Sequence, residues 1–193
     1  MQKHQLKQVI EALLFVAEQP LTESQLAEQV ESQQITKKQI RDVLDELQRD
    51  YQERGVQLRK VASGYRFQTR AELGDIISNL WQEKPTKYSQ ALLETLALIA
   101  YRQPITRGDI EEIRGVSVSS QIMKTLQERG WIKVVGQREV PGRPQLYATT
   151  PEFLDYFSLQ DLAELPDIPE PPSQVKDAGQ SAQITAATAT ETE

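Results

Sequence analysis

The sequence predicts a mainly α-helical protein with small β hairpins (an α+β class), built as two tandem winged helix-turn-helix domains followed by a disordered C-terminal tail. Three observations predict it. Gly130 to Val135 is short and rich in β-branched and aromatic residues, Pro141-Gly142-Arg143-Pro144 interrupts it, and Gln145 to Ala148 resumes it, which is the pattern of a hairpin. Thr150-Pro151 then supplies a capping hydroxyl and a proline at the first helical position, so a helix follows the hairpin directly, as it does after a wing. Finally, the letters repeat: Gln19-Pro20-Leu21-Thr22 matches Gln103-Pro104-Ile105-Thr106, and Glu53-Arg54-Gly55 matches Glu128-Arg129-Gly130. The two matches are offset by 84 and 75 residues, and a longer third helix with its preceding turn in the first copy absorbs the difference of 9.

The elements follow in order. Leu6, Val9, Ile10, Leu13, Leu14 and Ala17 recur at helical spacing, and Pro20 ends that helix. Thr22 to Gln25 and Thr36 to Gln39 are capping boxes, each a hydroxyl with an amide three residues on. The first opens a short helix with Leu26 and Val30. The second opens a longer one with Ile40, Val43, Leu44, Leu47 and Tyr51 on one face, closed by Gly55 at C′. Val56 to Val61, Ser63-Gly64, and Tyr65 to Phe67 read as a hairpin. Leu73, Ile76, Ile77 and Leu80 read as one more helix. After a linker, Leu92, Leu93, Leu96, Ile99 and Ala100 form an apolar helix, and Thr106 to Asp109 cap a short one bearing Ile110 and Ile113 that stops at Gly115. Ser117 to Ser120 cap a third helix, with Ile122, Met123 and Leu126 inside and Gly130 at its end. The expected division is 1–81, a linker at 82–88, 89–165, and a disordered tail at 166–193, where Pro166, Pro169, Pro171 and Pro172 exclude a helix and the alanines beyond them support at most a transient one with no apolar face to pack.

Composition excludes several functions. The chain is 38% hydrophobic and 26% charged, an ordinary globular balance. It has no cysteine and one histidine, His4, so no disulfide, thiolate zinc site or nucleophile–base pair is available. Glu111-Glu112 and Asp45-Glu46 sit among charged neighbours and read as solvated helix faces. No enzyme, cofactor, metal or small-molecule substrate is expected. The run Val9 to Ala17 contains Glu11 and is followed by no small-residue cleavage site, so it reads as a core helix and not a signal peptide. No stretch is apolar enough to span a membrane.

Net charge is −6, but the acid excess sits in the tail: 1–81 holds 11 basic and 12 acidic residues, 82–165 holds 10 and 11, and 166–193 holds 1 and 5. Near-neutral domains are poor binders of DNA phosphates. Lys37, Lys38 and Arg41 open the first third helix, yet Asp42, Asp45, Glu46, Asp50 and Glu53 share it. The second copy offers Lys124 and Arg129 beside Glu128, with Lys133, Arg138 and Arg143 on the wing. Arg143, bracketed by prolines, is the foremost contact candidate, for a phosphate or a protein carboxylate, against a merely solubilising role. Trp131, Tyr147, Trp81 and Tyr88 read equally as interface aromatics or local core.

A longer set of residues resembles the bacterial segregation and condensation protein B (ScpB) family. It comprises Ala91 to Tyr101, Gln103 to Thr106, Ile110 to Val116, Gly136 to Glu139, Pro141 to Pro144, Leu146-Tyr147, Thr149-Thr150, Phe153-Leu154, Phe157, and Leu159 to Pro166. It departs from the family at Ser158, where a glycine is expected after the phenylalanine. The resemblance covers about 1–166. It implies a non-enzymatic, cytoplasmic homodimer that grips the kleisin ScpA and, through it, joins the SMC ATPase on the nucleoid. There it would serve chromosome condensation and segregation in cell division, with DNA contact indirect or weak. The expected partner contacts are Arg143, Tyr147, Trp131 and Tyr101, around the wing and the exposed side of helix 92–101. The expected dimer contacts are Leu6, Leu13 and Phe15 on the first helix. The competing reading is a DNA-binding transcription regulator of the tandem winged-helix kind.

Overall fold

A computed structural model of the protein describes residues 2–30, 35–80 and 87–167. The expected tail from 168 onward, Trp81 and most of the expected linker lie outside the described residues.

Helix α1 (Lys3–Val16) buries Leu6, Ile10 and Leu14, one stripe at four-residue spacing. Helices α2 (Glu23–Gln29) and α3 (Lys37–Asp50) each begin with the capping box read from the sequence, Thr22 with Gln25 and Thr36 with Gln39. Strands β1 (Val56–Val61) and β2 (Gly64–Thr69) pair antiparallel from Val56↔Thr69 to Val61↔Gly64. A 3₁₀ turn (Ala71–Leu73) and the short α4 (Gly74–Ser78) follow. Ile10, Leu26, Ile40, Leu44 and Leu47 are fully buried together, and Tyr51, Leu58 and Tyr65 close that core.

The order returns as α5 (Gln90–Arg102), β3 (Ile105–Thr106), α6 (Arg107–Arg114), α7 (Ser120–Glu128), β4 (Ile132–Gln137), β5 (Gln145–Thr149) and α8 (Pro151–Tyr156), with a final 3₁₀ turn at Leu162–Glu164. The strands form a sheet in the order β3-β5-β4, with an extra residue between Val134 and Gly136 that bends β4. Leu96, Ile99, Ile110, Val118, Leu126, Trp131 and Phe153 centre a second core. Thr150 caps α8 by accepting from Phe153 N, as the Thr-Pro pair predicts.

The letter repeat has a structural counterpart. Leu21 bridges Tyr65 in the first half, and Ile105 pairs with Tyr147 in the second. That bridge explains Gly64: a Cβ there would sit 2.4 Å from the Leu21 carbonyl carbon and oxygen.

Several expectations need correcting. Gly55 is not the C′ residue of α3, which stops at Asp50 and is capped by Tyr51, and Gly55 lacks the positive φ of such a cap. The apolar residues after β2 do not bury a helical face, since Ile76 is 72% and Leu80 79% exposed. Ile113 also lies outward on α6. The strand β3, only two residues long, has no legible period. No described helix is long and apolar enough to cross a membrane.

Candidate functional site

Helix α5 is apolar on more than its core stripe. Leu92, Leu96, Ile99 and Ala100 face inward, while Leu93 remains 42% exposed. The chain after α8 returns alongside this helix as a strap. It is shaped by local bonds: Leu159 N donates to Leu154 O at 2.8 Å, Gln160 N to a Glu164 carboxylate oxygen at 2.8 Å, and Ala163 N to Asp161 Oδ1 at 2.8 Å. Tyr101 Oη then donates to the Pro166 carbonyl at 2.5 Å, fastening the strap to α5. Between helix and strap lies a groove of about 330 Å³, lined by Leu93, Ala97, Tyr101, Phe157, Leu159 and Leu165 among others. Its walls are almost wholly apolar, so water within it gains few hydrogen bonds and an apolar occupant is favoured.

Ala97 and Tyr101 also line a second hollow of about 460 Å³, with Leu98, Glu94, Arg102 and Arg114. Arg114 is almost covered and donates to Glu94 Oε2 at 2.9 Å. That guanidinium, with the Gln90 amide, holds the Glu94 carboxyl below its usual range. The outer face of α5 thus carries two adjoining hollows, one apolar and one with a charged rim.

A different surface lies on α1. Ala12, Phe15 and Val16 share one face by their spacing, and Phe15 is 64% and Val16 77% exposed. Gln8, Glu11 and Tyr51 border a shallow hollow of about 410 Å³ beside them. Phe15 packs on Phe67 at 5.7 Å between ring centroids, and Tyr51 hydrogen-bonds Glu11, so the patch is held in shape.

The β4–β5 hairpin is ordered by an ion pair. Arg138 donates from two nitrogens to the two Asp109 carboxylate oxygens at 2.8 and 2.7 Å. With the Thr106 amide also donating, this holds the Asp109 carboxyl down to about 2. Arg143 sits at the tip with φ 38° and a side chain 71% exposed, 3.7 Å from Glu139. Several cations of the first half are also engaged. Arg41 forks onto Glu23, Lys7 meets Glu46 and Asp50, and Lys3 and Lys7 together hold the Glu46 carboxyl down to about 2. Arg129 stacks over Tyr88 and Trp131.

The expected contact residues therefore separate. Arg143 and Tyr101 reach the surface, at the tip of the β4–β5 hairpin and beside the groove. Trp131 and Tyr147 are 3% and 9% exposed and belong to the second core, which corrects their expected place on a contact face. Trp131 is held there by Tyr88 and Tyr156, with ring centroids at 5.2 and 4.6 Å. Of the expected dimer contacts, Phe15 is exposed, Leu13 is half-buried against the core, and Leu6 is a core residue at 3% exposure, a second correction. Sequence reasoning missed Leu93, Phe157, Leu159 and Leu165 as groove walls. The signal in reach was that α5 is apolar around more of its circumference than one core needs. Among the described residues no group of three or more histidine or acidic side chains is placed to hold a metal ion.

The family model "Segregation and condensation complex subunit ScpB" matches residues 8–168. A segregation and condensation protein B homolog of Coxiella burnetii is 55% identical over 163 residues, covering 84% of this chain and 78% of that protein. The segregation and condensation protein B of Desulforamulus reducens is 47% identical over 170 residues, covering 87% and 92%. The crystal structure of ScpB from Mycobacterium tuberculosis is 35% identical, covering 82% of this chain and 98% of that one, with a TM-score of 0.40.

Proposed function

The chain belongs to the family of segregation and condensation complex subunits ScpB, and from that premise we propose that it is a homodimeric, non-enzymatic subunit of a bacterial SMC–kleisin complex. In this reading each half, 1–81 and 89–165, is a winged helix-turn-helix domain. The exposed face of α1 around Phe15 joins two copies. The groove on α5, with Tyr101 beside it and Arg143 on the neighbouring wing, takes an apolar stretch of the kleisin ScpA. Through the kleisin the dimer meets the SMC ATPase and takes part in chromosome condensation and segregation. Two gripping domains in one dimer raise the effective concentration of the second contact.

The observation that carries the reading is the family match across residues 8–168, which spans both halves and the strap. The surface supports it independently. A direct DNA reader needs a basic recognition face; here Arg41 and Arg138 are forked onto carboxylates, exposed Lys37 and Lys38 share α3 with Asp42, Asp45, Glu46 and Asp50, and the open surface on α5 is apolar. The test is affinity purification from nuclease-treated lysate with mass spectrometry. Recovery of a kleisin and an SMC ATPase is expected. Recovery of neither, with DNA fragments retained from untreated lysate through physiological salt, would turn the assignment to a transcription regulator.

A further inference from the structure

The two halves touch through a polar seam. The hairpin β1–β2 turns at Ala62 and Ser63, and both turn amides leave their own half: Ala62 N donates to the Leu159 carbonyl at 2.9 Å, and Ser63 N to Asp155 Oδ1 at 3.0 Å. One guanidinium nitrogen of Arg66, on β2, donates to the Asp155 carbonyl at 2.7 Å and to the Ser158 hydroxyl oxygen at 3.2 Å. The Ser158 hydroxyl in turn donates to Gln68 Oε1 at 3.0 Å. The Asp155 carbonyl lies in the last turn of α8 and also accepts from Ser158 N at 3.1 Å, and the C-terminal end of a helix favours a cation such as Arg66.

Ser158 gives the seam its logic. Its φ is 59°, a left-handed conformation that residues with a side chain rarely adopt. A glycine would hold that corner with less strain but would have no hydroxyl. From this corner one oxygen reaches both Arg66 and Gln68, so the strained residue links the hairpin to the strap twice. Leu159, next in the chain, serves two surfaces: its carbonyl receives Ala62, and the residue lines the α5 groove.

We propose that this seam is a latch that docks the first half's hairpin on the second half and, through Leu159, fixes one wall of the groove. Arg66 is its positioning residue, and Ser158 is the corner it fastens to. The latch belongs to the chain itself and needs no partner, so it stands whether or not the groove takes a kleisin.

Amide hydrogen exchange by NMR on the full chain tests it. Ala62 and Ser63 are the two turn residues of the hairpin, and their amides donate only across the seam, so an undocked hairpin leaves both to water. In the unmodified protein both are expected to exchange at least about 100-fold slower than in a free chain. Arg66→Ala and, separately, Ser158→Gly should each reduce that protection by about 10-fold or more. The Tyr65 amide, which donates to Leu21 O at 2.8 Å within the first half, should stay protected and so certify the fold. Free-chain exchange of Ala62 and Ser63 in the unmodified protein would overturn the proposal. So would protection that survives both substitutions.

Discussion

The first helix of each half leaves apolar residues outside, but the two surfaces differ in kind. On α1 the patch around Phe15 and Val16 is bare and shallow. On α5 the residues around Leu93 are edged by the strap and form a groove. A bare, shallow patch suits a copy of itself, which can bring the same face in return. A walled groove suits an extended segment, which enters between the walls. Thus one repeated unit presents two kinds of surface, and the difference arises in the chain beyond each hairpin. After β2 the chain runs into a short, outward helix. After β5 it makes a longer return that lies against α5.

The sharpest way to separate the two faces of α5 is to change one at a time. Leu96→Ala, on the buried face at 3% exposure, should cost roughly 2–5 kcal/mol in urea unfolding. A loss near zero would mean the second core is not organised around this helix. On the proposed reading, Phe15→Glu should give a monomer by light scattering where the unmodified protein gives a dimer, with the circular dichroism spectrum retained, because a carboxylate is not buried unpaired in an apolar contact. If the mass is unchanged, the α1 face is not the self-contact and the comparison fails on that side.

Smaller effects refine the groove and its surroundings. Leu93→Glu should weaken binding of a kleisin segment by about 10-fold or more while leaving the dimer intact. Asp109→Asn tests the ion pair of the β4–β5 hairpin through pH. Its carboxyl is held down to about 2 by Arg138, so folding favours the ionised form. The associated stability is complete above the ordinary carboxylate range and is lost as pH falls through about 2. The asparagine variant should therefore melt lower at neutral pH and lose less on acidification. Parallel acid profiles for the two proteins would remove Asp109 as the cause. Smallest of all, Arg143→Glu should move stability by no more than about 0.5 kcal/mol, since its pairing with Glu139 is at 3.7 Å and fully at the surface. Its effect on kleisin affinity should be about two- to threefold, below that of Leu93→Glu.

Much of the architecture was legible because it is written in local chemistry. The capping boxes at Thr22 and Thr36, the Thr150-Pro151 start, the left-handed stops at Gly115 and Gly130, and the core stripes all follow from residues within a turn or two of one another. The repeated Gln-Pro-x-Thr marked a real equivalence, the bridges of Leu21 and Ile105 to a tyrosine. It did not align the helix faces. Helix α1 stops at Val16, well before Pro20, whereas α5 runs to Arg102, two residues before Pro104. Matching by letters therefore puts exposed Phe15 against buried Ile99.

The site was less legible, because exposure of an aromatic is decided by neighbours distant in sequence. Trp131 looks like an interface residue until Tyr88 and Tyr156 close over it, one from before α5 and one from α8. Residues 157–166 have neither helical nor strand period, so nothing in their order announces that they wall a groove. The hydrogen bonds of Arg66 to Asp155 and Ser158 join residues about ninety positions apart, beyond any local pattern.

The most direct measurement is a fluorescence-anisotropy titration of a labelled ScpA segment with the unmodified protein, Phe15→Glu and Leu93→Glu. Saturable binding to the unmodified protein is expected, retained per subunit by the Phe15→Glu variant and strongly weakened by Leu93→Glu. Binding abolished by Phe15→Glu and untouched by Leu93→Glu would contradict it, and would place the kleisin on α1 instead of in the groove of α5.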